Sequence, residues 1–203
     1  MAGWRVHRGT VLGLPVANID TDQLIPARFM SVPRAEGYGS YLLHDMRRDE
    51  AGALRADFPL NTHSEVSVIL AGRNFGSGSS REAAVYALVD AGIRAVIAPS
   101  FGDIFASNAV NNGLLPAKVD DESYVALEAS LAKGPQDVII DIDTRTVTVG
   151  AAKIGFVLDD SWAMKLINGW DDIDLTRNHG GAIAAFKRTR SQTADWAWPT
   201  AKE

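Results

Sequence analysis

Val66-Ser67-Val68-Ile69-Leu70, followed by Gly76-Ser77-Gly78-Ser79-Ser80 and by a run carrying Val85, Leu88 and Val89 to Gly92, is the stretch that decides the fold. The first piece is β-branched and bounded by Gly72, which predicts a strand. The second is a flexible turn. The third spaces its apolar residues on one helical face and meets a glycine stop. The pattern then repeats. Ala95-Val96-Ile97-Ala98 predicts a strand, Phe101 to Asn112 a helix ended by Gly113, and Leu114 to Val119 a strand with Pro116 near an edge. Strand, helix, strand, helix, strand implies a parallel sheet with crossover helices.

Working outward, residues 5–12 predict a first strand that leads into the polar turn Asn18-Ile19-Asp20-Thr21-Asp22. Residues 31–64 are rich in Gly, Pro, Arg and Asp with weak periodicity, which marks a functional or mobile segment. Beyond an acidic helix at about 121–132, Val138 to Ile142, Thr146 to Val149 and Ile154 to Leu158 predict short strands of a small antiparallel sheet. Ser161 to Asn168 and Gly181 to Arg188 predict helices. The acidic runs at Asp120-Asp121-Glu122 and Asp171-Asp172 read as solvated faces or helix starts. Trp196 and Trp198 read as a packing latch or a subunit contact. The expectation is an α/β chain with one domain over 1–203, including a helical C-terminal extension at about 160–203.

Composition sets the boundaries. The chain has 203 residues, 46% hydrophobic, enough for a sizeable core, and a net charge of −5. That charge argues against a nucleic-acid face, which needs clustered cations. With no cysteine, the chain can form no disulfide, thiol nucleophile or cysteine-held cluster of its own. No run reaches the roughly 18 apolar residues of a membrane span. Val11 to Ala17 follows Arg5, His7 and Arg8 in the manner of a signal peptide, but Gly13 and Pro15 interrupt it and no clean cleavage pattern follows. The expectation is a cytoplasmic protein with no nucleic-acid or membrane partner. The four histidines show no ligand spacing and no metal is expected on this chain.

The chemistry concentrates at Gly72-Arg73-Asn74-Phe75-Gly76-Ser77-Gly78-Ser79-Ser80-Arg81-Glu82, between a strand and a helix. Ligands gather at the carboxyl ends of parallel strands beside helix N-termini. Glycines let the backbone come close to a ligand, and Arg81 can hold a carboxylate with two hydrogen bonds. The plainer reading is a capping box, Ser79-x-x-Glu82, which explains those two residues without catalysis. It leaves the two glycines, Ser80 and Arg81 unexplained. The segment is no Walker loop, because it has no lysine, and no dinucleotide fingerprint, because Arg81 stands at the third glycine.

Three motifs together resemble one family. They are Asn18-Ile19-Asp20-Thr21-Asp22-Gln23-Leu24-Ile25-Pro26, Gly76 to Glu82, and Ala98-Pro99-Ser100-Phe101-Gly102-Asp103-Ile104-Phe105 through Asn112-Gly113-Leu114-Leu115-Pro116. Their order and spacing are similar to the small subunit of 3-isopropylmalate dehydratase, in the aconitase superfamily. The resemblance implies a three-layer β/β/α swivelling domain. It implies a separate large subunit bearing a 4Fe–4S cluster, a heterodimer, and a 2-alkylmalate substrate. The reaction implied is the interconversion of 2- and 3-isopropylmalate through an alkene. By motif position Ser79 matches the family's base, and Ser80 and Arg81 its substrate-carboxylate ligands. Ser77 stands where the family often has cysteine, and Ala84 where histidine is usual after the Ser-Arg-Glu triplet.

Asp20, Thr21 and Asp22 read equally as an Asx turn or as a wall of the site or subunit interface. Arg28 and the loop from Met30 to Asp45 read as selectors of the substrate's alkyl group or as plain surface. The competing functions are a related 2-alkylmalate hydro-lyase, such as one for methylmalate and citraconate, and a non-catalytic anion-binding module of the same fold.

Overall fold

The structure is a computed structural model and describes residues 2–198. Strand β1 (Val6–Leu14) lies inside the sheet and serves both of its halves. Two one-turn helices, α1 (Thr21–Leu24) and α2 (Pro59–Thr62), fall in the long connection to β2 (Val66–Ala71). Helix α3 (Glu82–Asp90) crosses to β3 (Ala95–Ala98), and α4 (Asp103–Asn111) crosses to β4 (Leu115–Lys118). These strands are all parallel: β1 to β2, β2 to β3 and β3 to β4. Pro116 sits on the edge strand β4, where its missing N–H costs least.

After α5 (Asp121–Ser130) come β5 (Gln136–Asp141), β6 (Thr146–Val149) and β7 (Ala152–Gly155), an antiparallel set. The antiparallel strands continue the same hydrogen-bonded sheet instead of standing apart from it. Residues 6–11 of β1 pair antiparallel with β5 while residues 10–14 pair parallel with β2. The sheet order is β4-β3-β2-β1-β5-β6-β7.

Alternation along the strands builds a core on each face. Leu12, Leu14, Ile69, Ala71, Val96 and Ala98 meet Val85 and Leu88 of α3 and Phe105 of α4. The intervening residues Val11, Val68, Leu70, Ala95 and Ile97 meet Val138, Ile140, Val147 and Val149 of the antiparallel half. Two halves of one sheet therefore face each other across the second core, with α3 and α4 packed on the first. This is the expected β/β/α layering, reached by curling a mixed sheet.

Helix α6 (Asp160–Asn168) closes the second core through Ala163 and Leu166 and stops at Gly169 in the left-handed region. The sequence reading missed α7 (Asp172–Arg177), although its acidic run is the helix start: Asp171 caps α7 as Asp120 caps α5. Helix α8 (Gly180–Thr193) is longer than expected and has no buried residue. Trp196 is 81% exposed, so it is not a buried packing latch among the described residues. The expected extension beyond 198 lies outside the described residues. Residues 11–17, read against a signal peptide, begin in the sheet interior as part of β1. No helix among the described residues is long and apolar enough to cross a membrane.

Candidate active site

The three motifs follow the carboxyl ends of β1, β2 and β3, which are neighbours in the sheet. Backbone bonds stitch the first motif to the second. Asn18 N–H donates to the Arg73 carbonyl at 2.8 Å, Gly76 N–H to the Ile19 carbonyl at 2.7 Å, and Thr21 N–H to the Ser77 carbonyl at 2.9 Å. Asn18 and Asn74 both hold positive φ, 59° and 60°, and their side-chain amides bond at 3.0 Å. Asparagine tolerates that region because its short polar side chain bonds locally. The third motif joins through Phe75 N–H to the Ser100 carbonyl at 3.1 Å and Gly102 N–H to the Phe75 carbonyl at 2.9 Å.

Gly76 is required twice. Its φ is +72°, and a Cβ there would sit 2.2 Å from the Phe105 ring. Phe105 in turn stacks with Phe101 and meets Phe75 edge-on, so an aromatic floor lies under the loop. Above it is a cleft of about 210 Å³ lined by Gly76, Ser77, Gly78, Ser79, Gly102, Asp103, Ile104 and Phe105.

The capping box at Ser79-x-x-Glu82 does not form. Helix α3 begins at Glu82 with Arg81 in the cap position and no side-chain cap bond. Arg81 N–H instead donates to the Ser79 carbonyl at 2.8 Å, which folds a turn just before the helix. That carbonyl also accepts from the hydroxyl of Thr21, 1% exposed, at 3.0 Å. Ser79 is thus fixed through its main chain while Ser79 and Ser80 are exposed, and neither hydroxyl bonds another described residue. The capping box that does form beside this loop is at Asp20, whose carboxylate accepts from Gln23 N–H at 2.7 Å while the Gln23 side chain accepts from Asp20 N–H at 2.9 Å. The Asx-turn reading of this cluster is therefore replaced by a helix cap.

Asp22, one residue into α1, pairs with the Arg81 guanidinium. Asp20, Thr21 and Asp22 thus flank the serine loop, each with a distinct part in it. Arg28 stands apart. Its guanidinium binds Asp45 beside His44 and lies 4.6 Å over the Phe29 ring. Arg28 and His44 hold the Asp45 carboxyl down to about 2.

Sequence reasoning missed two ties. Asn112 donates to the Glu82 carboxylate at 2.8 Å, joining the end of the third motif to the helix of the second. Asp103 lines the cleft from the first turn of α4. Both residues lie inside motifs already noted, so the signal was their position next to the quoted glycines.

A sequence model of the aconitase C-terminal domain matches residues 1–122. The 3-isopropylmalate dehydratase small subunit of Shewanella sp. (strain ANA-3) is 44% identical over 197 residues, 94% of this chain and 96% of its own. That of Shewanella oneidensis is 42% identical over 203 residues, 97% of this chain and 99% of its own. This chain belongs to the 3-isopropylmalate dehydratase small-subunit family. A crystal structure of 3-isopropylmalate dehydratase from Methanocaldococcus jannaschii matches with a TM-score of 0.65 at 27% identity, covering 90% of this chain and 99% of that one. The small-subunit family member from Shouchella clausii is 38% identical over 189 residues, 92% of this chain.

Proposed function

We propose that this chain is the small subunit of a 3-isopropylmalate dehydratase, which interconverts 2-isopropylmalate and 3-isopropylmalate together with a large subunit in leucine biosynthesis. The family membership supports the reaction. The observation that carries the site is Ser79 lining a cleft where the loops after three adjacent strands meet, with Ser80 and the Asp22-paired Arg81 next to it in the chain.

Dehydration removes a carbon-bound proton beside a carboxylate and expels the neighbouring hydroxyl as water, leaving an alkene. Ser79 takes the proton, its main chain fixed by Thr21. Arg81 and Ser80 bind a substrate carboxylate. The carboxylate takes over the guanidinium face that Asp22 now holds, so binding exchanges one charge-assisted pair for another. An ordinary serine is far too weak a base at neutral pH. The N-terminus of α3 contributes at most about 2 kcal/mol, little more than one pKa unit. Desolvation, Arg81 and charges on the large subunit supply the remainder.

This chain's donor set does not fit an iron–sulfur cluster. It has no cysteine, and the described residues contain no group of three His, Asp or Glu able to hold a metal. A 4Fe–4S cluster on the large subunit would supply Lewis-acid chemistry toward the departing hydroxyl. Cleft and cluster then complete one site across the two chains, and the protein works in the cytoplasm.

The deciding experiment is Ser79→Ala in the reconstituted complex. A general base contributes roughly 10²- to 10⁴-fold. A kcat loss in that range with complex formation unchanged supports the assignment. Unchanged kcat assigns Ser79 to the loop's shape alone and favours the non-catalytic module.

A further inference from the structure

Helix α8 carries the strongest unexplained feature of the chain. None of its 14 residues is buried. Isolated helices of that length are marginal in water, because nucleation is costly and packing supplies most of a helix's stability. This one also begins poorly. Its cap residue, His179, makes no side-chain cap bond, the first turn has no acid, and Gly180 and Gly181 open it.

The root of the tail is nonetheless fixed. Lys165, buried on α6, pairs with Asp172 at the start of α7 and donates to Asn111 of α4 at 3.0 Å. Asn111 donates to the other Asp172 oxygen at 3.0 Å. A buried ammonium needs such partners, so opening this clamp is costly. Past it, Ile183, Phe186, Lys187 and Arg190 fall at i, i+3, i+4 and i+7, one helical face. Phe186 is 66% exposed, and Arg190 lies 5.9 Å over the ring of exposed Trp196. From α8 to Trp198 there are three cations, Lys187, Arg188 and Arg190, against the single acid Asp195, in a chain whose net charge is −5.

We infer that this face docks on the large subunit, into an apolar hollow ringed by acidic side chains. Charge names the chemistry of the surface: cations flank the apolar pair, so the partner surface is acidic. Ile183, Phe186 and Trp196 supply the apolar and aromatic anchors that such interfaces bury. The alignment with the Shewanella oneidensis small subunit covers 97% of this chain, which leaves too few residues unmatched to omit α8. The inference rests on the proposed function, which supplies a large subunit to bind.

The test uses the full chain and purified large subunit, with binding measured at low and high salt and turnover measured at saturating small subunit. The variants are Ile183→Glu with Phe186→Glu, and Lys187→Gln with Arg188→Gln and Arg190→Gln. No altered residue is buried, so each variant keeps the unfolding temperature of the parent chain. The apolar pair is expected to raise Kd at least tenfold, or about 1.4 kcal/mol, with kcat at saturation unchanged. The charge variant is expected to weaken binding at low salt and flatten the salt dependence. Kd within twofold of the parent for both variants overturns the inference. So does an apolar variant that abolishes self-association of this chain but leaves large-subunit affinity intact, since the occupant is then a second copy. A full chain that fails to bind the large subunit at all overturns the functional reading itself, a result separate from either.

Discussion

At the scale of single residues, the site is an arginine already holding a carboxylate. Arg81 is half-buried and paired with Asp22, two residues beyond the Asp20 cap that fixes α1. The planar fork can hold a carboxylate by two parallel bonds, whereas an ammonium offers a single point charge. Arg81→Lys therefore keeps the charge and loses geometry. Losing a hydrogen bond to a charged group costs about 1.5–3 kcal/mol, so kcat/KM of the reconstituted enzyme is expected to fall roughly 10- to 100-fold. The loss should appear mainly in KM, because the carboxylate is bound in both ground and transition states. Steady-state kinetics on isopropylmalate check this. A loss confined to kcat would place Arg81 at the reacting bond and not at the carboxylate. The residues of this cluster were legible because glycines, serines and an arginine crowd six positions. Their connections were not. The Thr21 bond to the Ser79 carbonyl and the Asp22 pairing join positions 58 and 59 residues apart, and no local pattern encodes such contacts.

At the scale of elements, strands with β-branched runs were read almost to the residue, as β3 and β6 show. Helix α3 started later than its capping signature because the Ser79–Arg81 turn took the bond that the signature assigned elsewhere. The neighbour of each antiparallel strand was hidden, since period-2 alternation says which face is buried but not which strand lies alongside. β1 is the element that resolves this, and its first half carries a titratable group. His7 accepts or donates a bond with the Ser67 hydroxyl at 2.8 Å and meets the Trp4 ring edge-on at 5.8 Å. Burial, with the nearby Arg94 charge second, holds its pKa below the usual imidazole value. The unfolded chain therefore binds a proton at a higher pH than the folded chain does. Below about pH 6.5 the unfolded state gains protons first, so stability falls as pH drops through that range and is fully present above it. Urea midpoints at pH 7.5 and 5.5 should differ more for the parent chain than for His7→Asn, which lacks the titrating group. An equal drop in both would assign the acid sensitivity to other groups.

At the scale of the whole molecule, the proposed function makes this chain half of a reaction centre. The cleft is lined by Ser77 and Ser79. Two residues further along the same loop the Arg81 guanidinium is paired with Asp22, and the sequence offers no thiolate for a cluster. On the proposed function, substrate binding and proton removal fall to this chain and hydroxyl departure to the large subunit. The division makes a distinctive prediction for Ser79→Ala. The substitution removes one exposed hydroxyl from a loop whose main chain is fixed by Ile19 and Thr21. The variant should therefore dock on the large subunit as well as the parent chain while failing to turn over. With limiting large subunit and equal amounts of parent and variant in excess, mass action divides the partner evenly, and activity is expected to fall to about half. Raising the ratio of variant to parent should lower activity in proportion to the parent's share. A variant with unaltered activity would leave the mixture at full rate, and a variant unable to dock would also leave it there, but only the first would be active when assayed alone with the large subunit. The mixture and the single assay together therefore separate a base from a loop-shaping residue and from a docking residue.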